Sequence, residues 1–134
     1  MDDELSAAER DLVDTARDVS GRAYAPASRF AVGCAVQTDS GATYTGCNVE
    51  NASYGLTICA ERAAIAAAVA AEGPRARILT VAVHADTPSC SPCGACRQVI
   101  AELGPAAVVV YRRDGRLVRR GIAELLPDAF TFPR

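Results

Sequence analysis

The chain has 134 residues, half of them apolar, and a formal net charge of -2 at pH 7. It is long enough to bury one real core and too short for a second, so residues 1–134 are expected to form a single domain. The near-neutral balance excludes the basic footprint of a protein that grips a nucleic-acid polymer or an anionic membrane. Charges or turn residues interrupt every apolar run before it reaches the length of a membrane span. The acidic start Met1-Asp2-Asp3-Glu4-Leu5 runs straight into an amphipathic segment, which predicts no signal peptide and a cytoplasmic location. In that reducing compartment six cysteines point to metal binding or burial rather than to a disulfide framework.

Ser6 with Glu9 has the capping-box pattern, and Leu5, Ala8, Leu12, Ala16, Val19 and Ala23 recur at helical spacing, predicting a helix to about Arg22. Tyr24 to Ser28 breaks it. Phe30 to Thr38 reads as a largely apolar strand with Gly33 a soft point inside it, and the Asp39-Ser40-Gly41 turn returns the chain as a hairpin partner over Ala42 to Cys47. A polar loop from Asn48 to Gly55 leads to an alanine-dense helix from Cys59 to Glu72. That helix has almost no polar side, is expected to be buried on most faces, and stops at Gly73-Pro74. Ile78 to Ala85 is a β-branched interior strand, and Ser91-Pro92 reads as the N-cap and first residue of a helix that runs to Leu103 and stops at Gly104. Ala107 to Arg112 and Leu117 to Arg120 are strands around an Asp114-Gly115 turn, and Ile122 to Leu126 makes a last helical turn. This order predicts an α/β fold, a three-layer α/β/α sandwich on a mixed sheet, with its site where helix starts cluster at strand ends.

Two stretches carry chemistry: Thr57-Ile58-Cys59-Ala60-Glu61-Arg62 and Ser91-Pro92-Cys93-Gly94-Ala95-Cys96-Arg97-Gln98. Both place sulfur at a helix start, where unpaired N–H groups and the helix dipole stabilise the thiolate that a metal needs. Thiolates from Cys59, Cys93 and Cys96 could hold Zn2+ at three corners of a tetrahedron and leave the fourth for water, which is the open pattern of a catalytic site. Glu61 stands where a carboxylate could carry protons between water and a substrate nitrogen. Three thiolates overcompensate the charge of a dication, an excess that Arg62 and the two helix starts could offset.

These two motifs together resemble the zinc nucleoside deaminases, specifically the small homotetrameric cytidine deaminases. The likeness runs from Tyr24 through Ser28, Phe30, Val32 and Gly33, across Gly46 to Tyr54, and on to Leu125-Leu126-Pro127 and Phe130. It implies zinc-dependent hydrolytic deamination of cytidine or deoxycytidine to the uridine form in pyrimidine salvage, with one zinc per chain on Cys59, Cys93 and Cys96 and with Glu61 as proton shuttle. It further implies that Asn48 and Glu50 bind the sugar hydroxyls, that Phe30 lines the base pocket, and that Ala60 belongs to the substrate-binding set. Ala52, Tyr54 and Phe130 would come from neighbouring subunits of a homotetramer with shared active sites. Ala27 stands where relatives usually carry tyrosine, and Cys34 where alanine is common.

Plainer readings stand beside these. Each cysteine could be a small buried hydrophobe, or Cys90 could close a structural four-cysteine site, which would leave Glu61 without work. Cys34 and Cys47 lie in predicted strands, and burial is the better expectation for them. From loop chemistry alone Asn48 and Glu50 are polar loop residues, and Phe30, Tyr54 and Phe130 default to core or interface packing. Arg62 could be a solvent-facing ion pair. His84 reads as a satisfied core histidine, and the cluster Arg112, Arg113, Arg116, Arg119 and Arg120 as a solvated hairpin edge that blunts strand pairing. The rival functions are deamination of a modified cytosine nucleoside, such as a nucleoside antibiotic, and a non-catalytic zinc-binding interaction domain.

Overall fold

A computed structural model describes residues 1–132 of the chain. The capping box closes as expected: the Ser6 N–H donates to Glu9 Oε1 (2.9 Å) and the Glu9 N–H to Ser6 Oγ (3.1 Å), which opens helix α1 (Ala7–Ser20). Its buried face is Leu12, Val13 and Ala16; Val13 takes the place expected of Ala8, which is exposed. The chain continues as β1 (Val32–Thr38), β2 (Thr43–Cys47), a 3-10 turn (Tyr54–Leu56) that the polar loop did not announce, α2 (Ala60–Glu72), β3 (Ile78–Ala85), α3 (Gly94–Leu103), β4 (Val108–Arg113), β5 (Arg116–Gly121) and α4 (Ile122–Leu125).

The sheet order is β2-β1-β3-β4-β5, antiparallel except for the β3–β4 pair, so the mixed sheet and its helical layers are as expected. Successive residues of each strand face opposite sides and divide the core in two. Ala35, Ala82 and Val110 meet Leu12, Val13 and Ala16 of α1. Cys34, Val36, Val83 and Val109 face the other way, onto Ala64 and Ile65 of α2 and Ile100 of α3.

Two glycines set how closely the helices lie on the sheet. A Cβ on Gly33 would stand 2.0 Å from Ala16 O, against the backbone of α1. One on Gly46 would stand 2.4 Å from Ala64 N and 2.7 Å from Ala60 O, against the first turns of α2. Gly46 therefore fixes the height at which α2 begins.

Several expectations need correction. β1 starts at Val32 rather than Phe30, because the Asn48 side chain takes over the ladder bonds there: Nδ2 donates to Phe30 O (2.8 Å) and Oδ1 accepts from the Val32 N–H (2.9 Å). Helix α3 starts at Gly94 with Cys93 as N-cap, so Ser91-Pro92 lies outside it; Cys93 keeps an extended backbone (φ -68°, ψ 168°). Helix α2 is not buried on most faces within one chain, since Ala66, Ala67, Ala70 and Ala71 are exposed. Nor is the arginine cluster merely solvated: Arg119 Nε meets Glu9 Oε2 at 2.7 Å and Arg120 Nη1 meets Asp3 Oδ2 at 2.9 Å. Asp3 N–H also donates to Leu117 O (2.8 Å), while Asp2 and Asp3 carboxylates accept from the N–H groups of Leu117 and Arg119 (2.9 and 3.0 Å), so the free edge of β5 is covered.

At the far end of α2, Glu72 Oε2 accepts from Thr38 Oγ1, Ser40 Oγ and Tyr44 Oη, each at 2.8 Å, tying the β1–β2 hairpin to the helix. The Thr38 hydroxyl, then those of Tyr44 and Ser40, hold the Glu72 carboxyl below its ordinary value of 4.5. A depressed folded pKa stabilises the fold above the unfolded value, and that contribution is lost as pH falls through the folded one. Glu72→Gln is therefore expected to lower Tm at pH 7, with the gap to wild type shrinking once pH drops below 4.5. Thermal melts across that window check it; a gap that persists unchanged at acid pH would assign the tie to neutral hydrogen bonding.

Candidate active site

Both sulfur-bearing helix starts are built the same way. Cys59 caps α2 and Cys93 caps α3, each with extended backbone, and Cys96 lies in the first turn of α3. The approach to Cys59 is fixed by a bridge between Val49 and Ile58, whose N–H groups and carbonyls exchange bonds of 3.0 and 2.9 Å. The three sulfur atoms lie within 4.8 Å of one another, with Cys96 buried, Cys59 half-buried and Cys93 exposed.

The chemistry of this donor set fits a soft dication. Burial acts to raise the Cys93 thiol, but the Cys96 N–H and the neighbouring thiols outweigh it and hold Cys93 below its ordinary value. Cys96 goes the other way, pushed far up first by burial and then by the charges of Glu61, Cys59 and Cys93. Three clustered thiols cannot all ionise unaided, and a bound Zn2+ relieves that repulsion. Arg62 supplies part of the offset: its Nη2 donates to Cys59 Sγ at 3.3 Å, and the sulfurs of Cys59 and Cys96 hold the guanidinium firmly charged. It is an inward partner of sulfur, not a surface ion pair. Cys90 stands outside the cluster, its thiol 3.8 Å from Val83 O, so among the described residues the set has three sulfurs and no fourth, contrary to a closed four-cysteine site.

A cavity of about 330 Å3 is lined by Cys59, Cys93, Ala60, Glu61, Phe30 and Asn48. Glu61 is 5% exposed, and burial pushes its carboxyl up against the opposing pull of its own N–H, the Cys96 thiol and the Arg62 charge. A carboxyl whose hold on a proton burial strengthens, set beside a sulfur cluster able to bind metal, is suited to passing protons. Val83, Cys90 and Ser91 also line the cavity, though sequence reasoning passed over Val83, weighed Cys90 only as a fourth ligand and read Ser91 only as a helix cap. Proximity to the Cys93 motif was the available signal for the last two, whereas nothing marks Val83 among β3 residues except its inward face.

Not every expected site residue shares that cavity. Glu50, Ala52 and Tyr54 line a separate hollow of about 350 Å3 with Tyr24 and Ala27. The Glu50 carboxylate accepts from the N–H groups of Ala27 (2.8 Å) and Ser28 (3.1 Å) and from the Ser28 hydroxyl, which hold it below its ordinary value. Phe130 is 63% exposed, packs edge-on against Phe132 at 5.7 Å, and has its carbonyl held by Gln98 Nε2 at 2.9 Å. His84 is buried, with Nε2 3.1 Å from Asp86 Oδ1, and lies outside this site. Cys34 is fully buried and Cys47 half-buried.

Residues 6–112 match the family model described as the cytidine and deoxycytidylate deaminase zinc-binding region. A cytidine deaminase of Halalkalibacterium halodurans is 48% identical over 123 residues, covering 90% of this chain and 92% of that protein. One from Mycobacterium tuberculosis is 45% identical over 119 residues, covering 89% of this chain and 86% of its own. The crystal structure of cytidine deaminase from Burkholderia pseudomallei matches with a TM-score of 0.84 at 44% identity, over 94% of this chain and 100% of that one. With its three-thiol cluster set inside the matched region, the chain belongs to the zinc-binding cytidine and deoxycytidylate deaminase family.

Proposed function

We propose that the protein hydrolyses the exocyclic amine of cytidine and deoxycytidine, forming uridine or deoxyuridine and ammonia. The observation that carries this reading is the buried Glu61 carboxyl in one cavity with Cys59 and Cys93 of a three-sulfur cluster that has no fourth sulfur among the described residues. When bound by Cys59, Cys93 and Cys96, zinc makes water nucleophilic at neutral pH. Glu61 would take a proton from the attacking water and pass it to the ring nitrogen as the C4–O bond forms, and would then carry the proton of the new C4 hydroxyl to the amine as the C4–N bond breaks and ammonia leaves. Arg62 steadies the charge on Cys59. Asn48, tied to Phe30 and Val32, and Phe30 itself shape the wall that receives the nucleoside. A cavity near the small end of ligand sites, about 300–1,000 Å3, suits a free nucleoside rather than a polymer. An ordinary cytosine nucleoside is favoured over a modified one by the 45–48% identity to cytidine deaminases.

The purified protein is expected to abolish the cytidine ultraviolet band while releasing one ammonia per uridine, and a zinc chelator is expected to stop it. No turnover by zinc-loaded protein would favour a binding domain. Glu61→Gln should keep its zinc and lose about 10²–10⁴ in kcat, the usual scale of general acid–base catalysis. Near-normal turnover would remove Glu61 from the proton path.

We further propose a cytoplasmic homotetramer of pyrimidine salvage, with Ala52, Tyr54 and Phe130 reaching neighbours' sites and with thiols that depend on a reducing compartment. Tyr54 (78% exposed), Phe130 (63%) and the bare alanine stripe of α2 support that assembly, since large exposed apolar surface marks contact sites. Light scattering should give a mass four times the 14.0 kDa of the chain. A fully active monomer would overturn the shared site.

A further inference from the structure

Arg97 follows the ligand Cys96 directly and makes three contacts that no step of the proposed reaction uses. Its Nε donates to Pro92 O at 2.8 Å, its Nη1 donates to Leu125 O at 2.9 Å, and its backbone N–H donates to Cys93 O at 2.9 Å. Pro92 is buried and precedes Cys93, the one exposed sulfur of the three. As an N-cap, Cys93 has helical bonding on its C-terminal side only; the peptide before it is extended and outside the α3 ladder. Arg97 grips the Cys93 unit from both sides, by main chain after it and by side chain before it. The other end of the guanidinium takes a carbonyl at the last residue of α4, one of the orphan acceptors of a helix C-terminus.

From this geometry, and resting on the zinc site proposed above, we infer that Arg97 is a positioning residue: it locks the Cys93 ligand in place and ties the metal centre to the C-terminal segment. The planar guanidinium suits the task, because Nε and Nη1 reach two carbonyls at once, whereas a lysine ammonium on a flexible stem offers no such fixed fork. The neighbouring Gln98 continues the tie outward, its side chain donating to Phe130 O rather than to Pro92 O. It therefore separates loosening of the tail from loosening of the ligand.

The test is the first-order release of zinc from loaded protein into excess chelator, followed with a colorimetric zinc indicator. Arg97→Met is expected to release zinc about 10-fold faster than wild type, on the scale by which partners of metal ligands affect retention. Arg97→Lys should fall between the two as partial rescue, and Gln98→Ala should release at the wild-type rate. If Arg97→Met does not fold, Arg97→Lys decides: faster release supports the inference, and the wild-type rate overturns it. A lowered Tm of the metal-free Arg97 variants with unchanged release would reduce Arg97 to a fold-stabilising role and overturn the inference. Equal acceleration in Gln98→Ala would assign the effect to the tail and overturn it as well. A wild-type chain that holds no zinc would sink the site assignment itself and this inference with it. Zinc-loaded, active wild type with unaltered release from the Arg97 variants would sink this inference alone.

Discussion

Three sulfur atoms within 4.8 Å of one another are an electrostatic liability before they are a ligand set. Much of the local architecture answers that liability. Two helices begin at one place, with Cys59 and Cys93 at their N-cap positions, so that the positive ends of both helix dipoles lie at the cluster. Bringing α2 to that place requires a bare backbone beneath it, which Gly46 supplies by letting the carbonyl of Ala60 and the amide of Ala64 come against β2. Arg62 adds a full positive charge on the same helix, one turn from its cap. A side chain at Gly46 would push the start of α2, with Cys59 and Arg62, away from β2.

The wall of the cavity shows that structural and functional readings of a polar loop need not compete. Asn48 is 8% exposed and bonds through both ends of its amide to the segment carrying Phe30 and Val32. Glu50 organises the turn at Ala27 and Ser28 in the same manner. Both side chains are held by the protein's own backbone before any ligand arrives, and a group with a fixed rotamer loses little further freedom on binding. The backbone of Phe30 is thereby held by a buried Asn48 while its side chain stays exposed.

Strong local patterns made most of this legible beforehand. The capping box of Ser6 and Glu9, the glycine stops at Gly73 and Gly104 and the Asp114-Gly115 turn each act over a few residues, and each forms where the sequence places it. The three sulfurs and Glu61 were legible because helix-start spacing constrains them. What escaped was set by partners distant in sequence. Asn48 delays β1 by occupying its first ladder bonds, Arg97 bonds the carbonyl of Pro92 outside α3, and Asp3 and Glu9 pair with Arg120 and Arg119 more than a hundred positions away. No periodicity announces a side chain that substitutes for a backbone partner. The alanine face of α2 misled differently, because composition reveals that a surface is apolar without revealing whether the chain itself covers it.

The clasp of the N-terminal carboxylates on β5 has a temporal side. The bond from Leu117 N–H to Asp2 Oδ1 joins residues 115 apart, so it forms only after nearly everything between them has emerged. At a synthesis rate of about 5–20 residues per second, Asp2 waits on the order of ten seconds at the ribosome before its partner exists. Through that interval α1 can already form on its own capping box, while the sheet is still gaining strands. The last edge to be sealed is thus closed by residues made long before it.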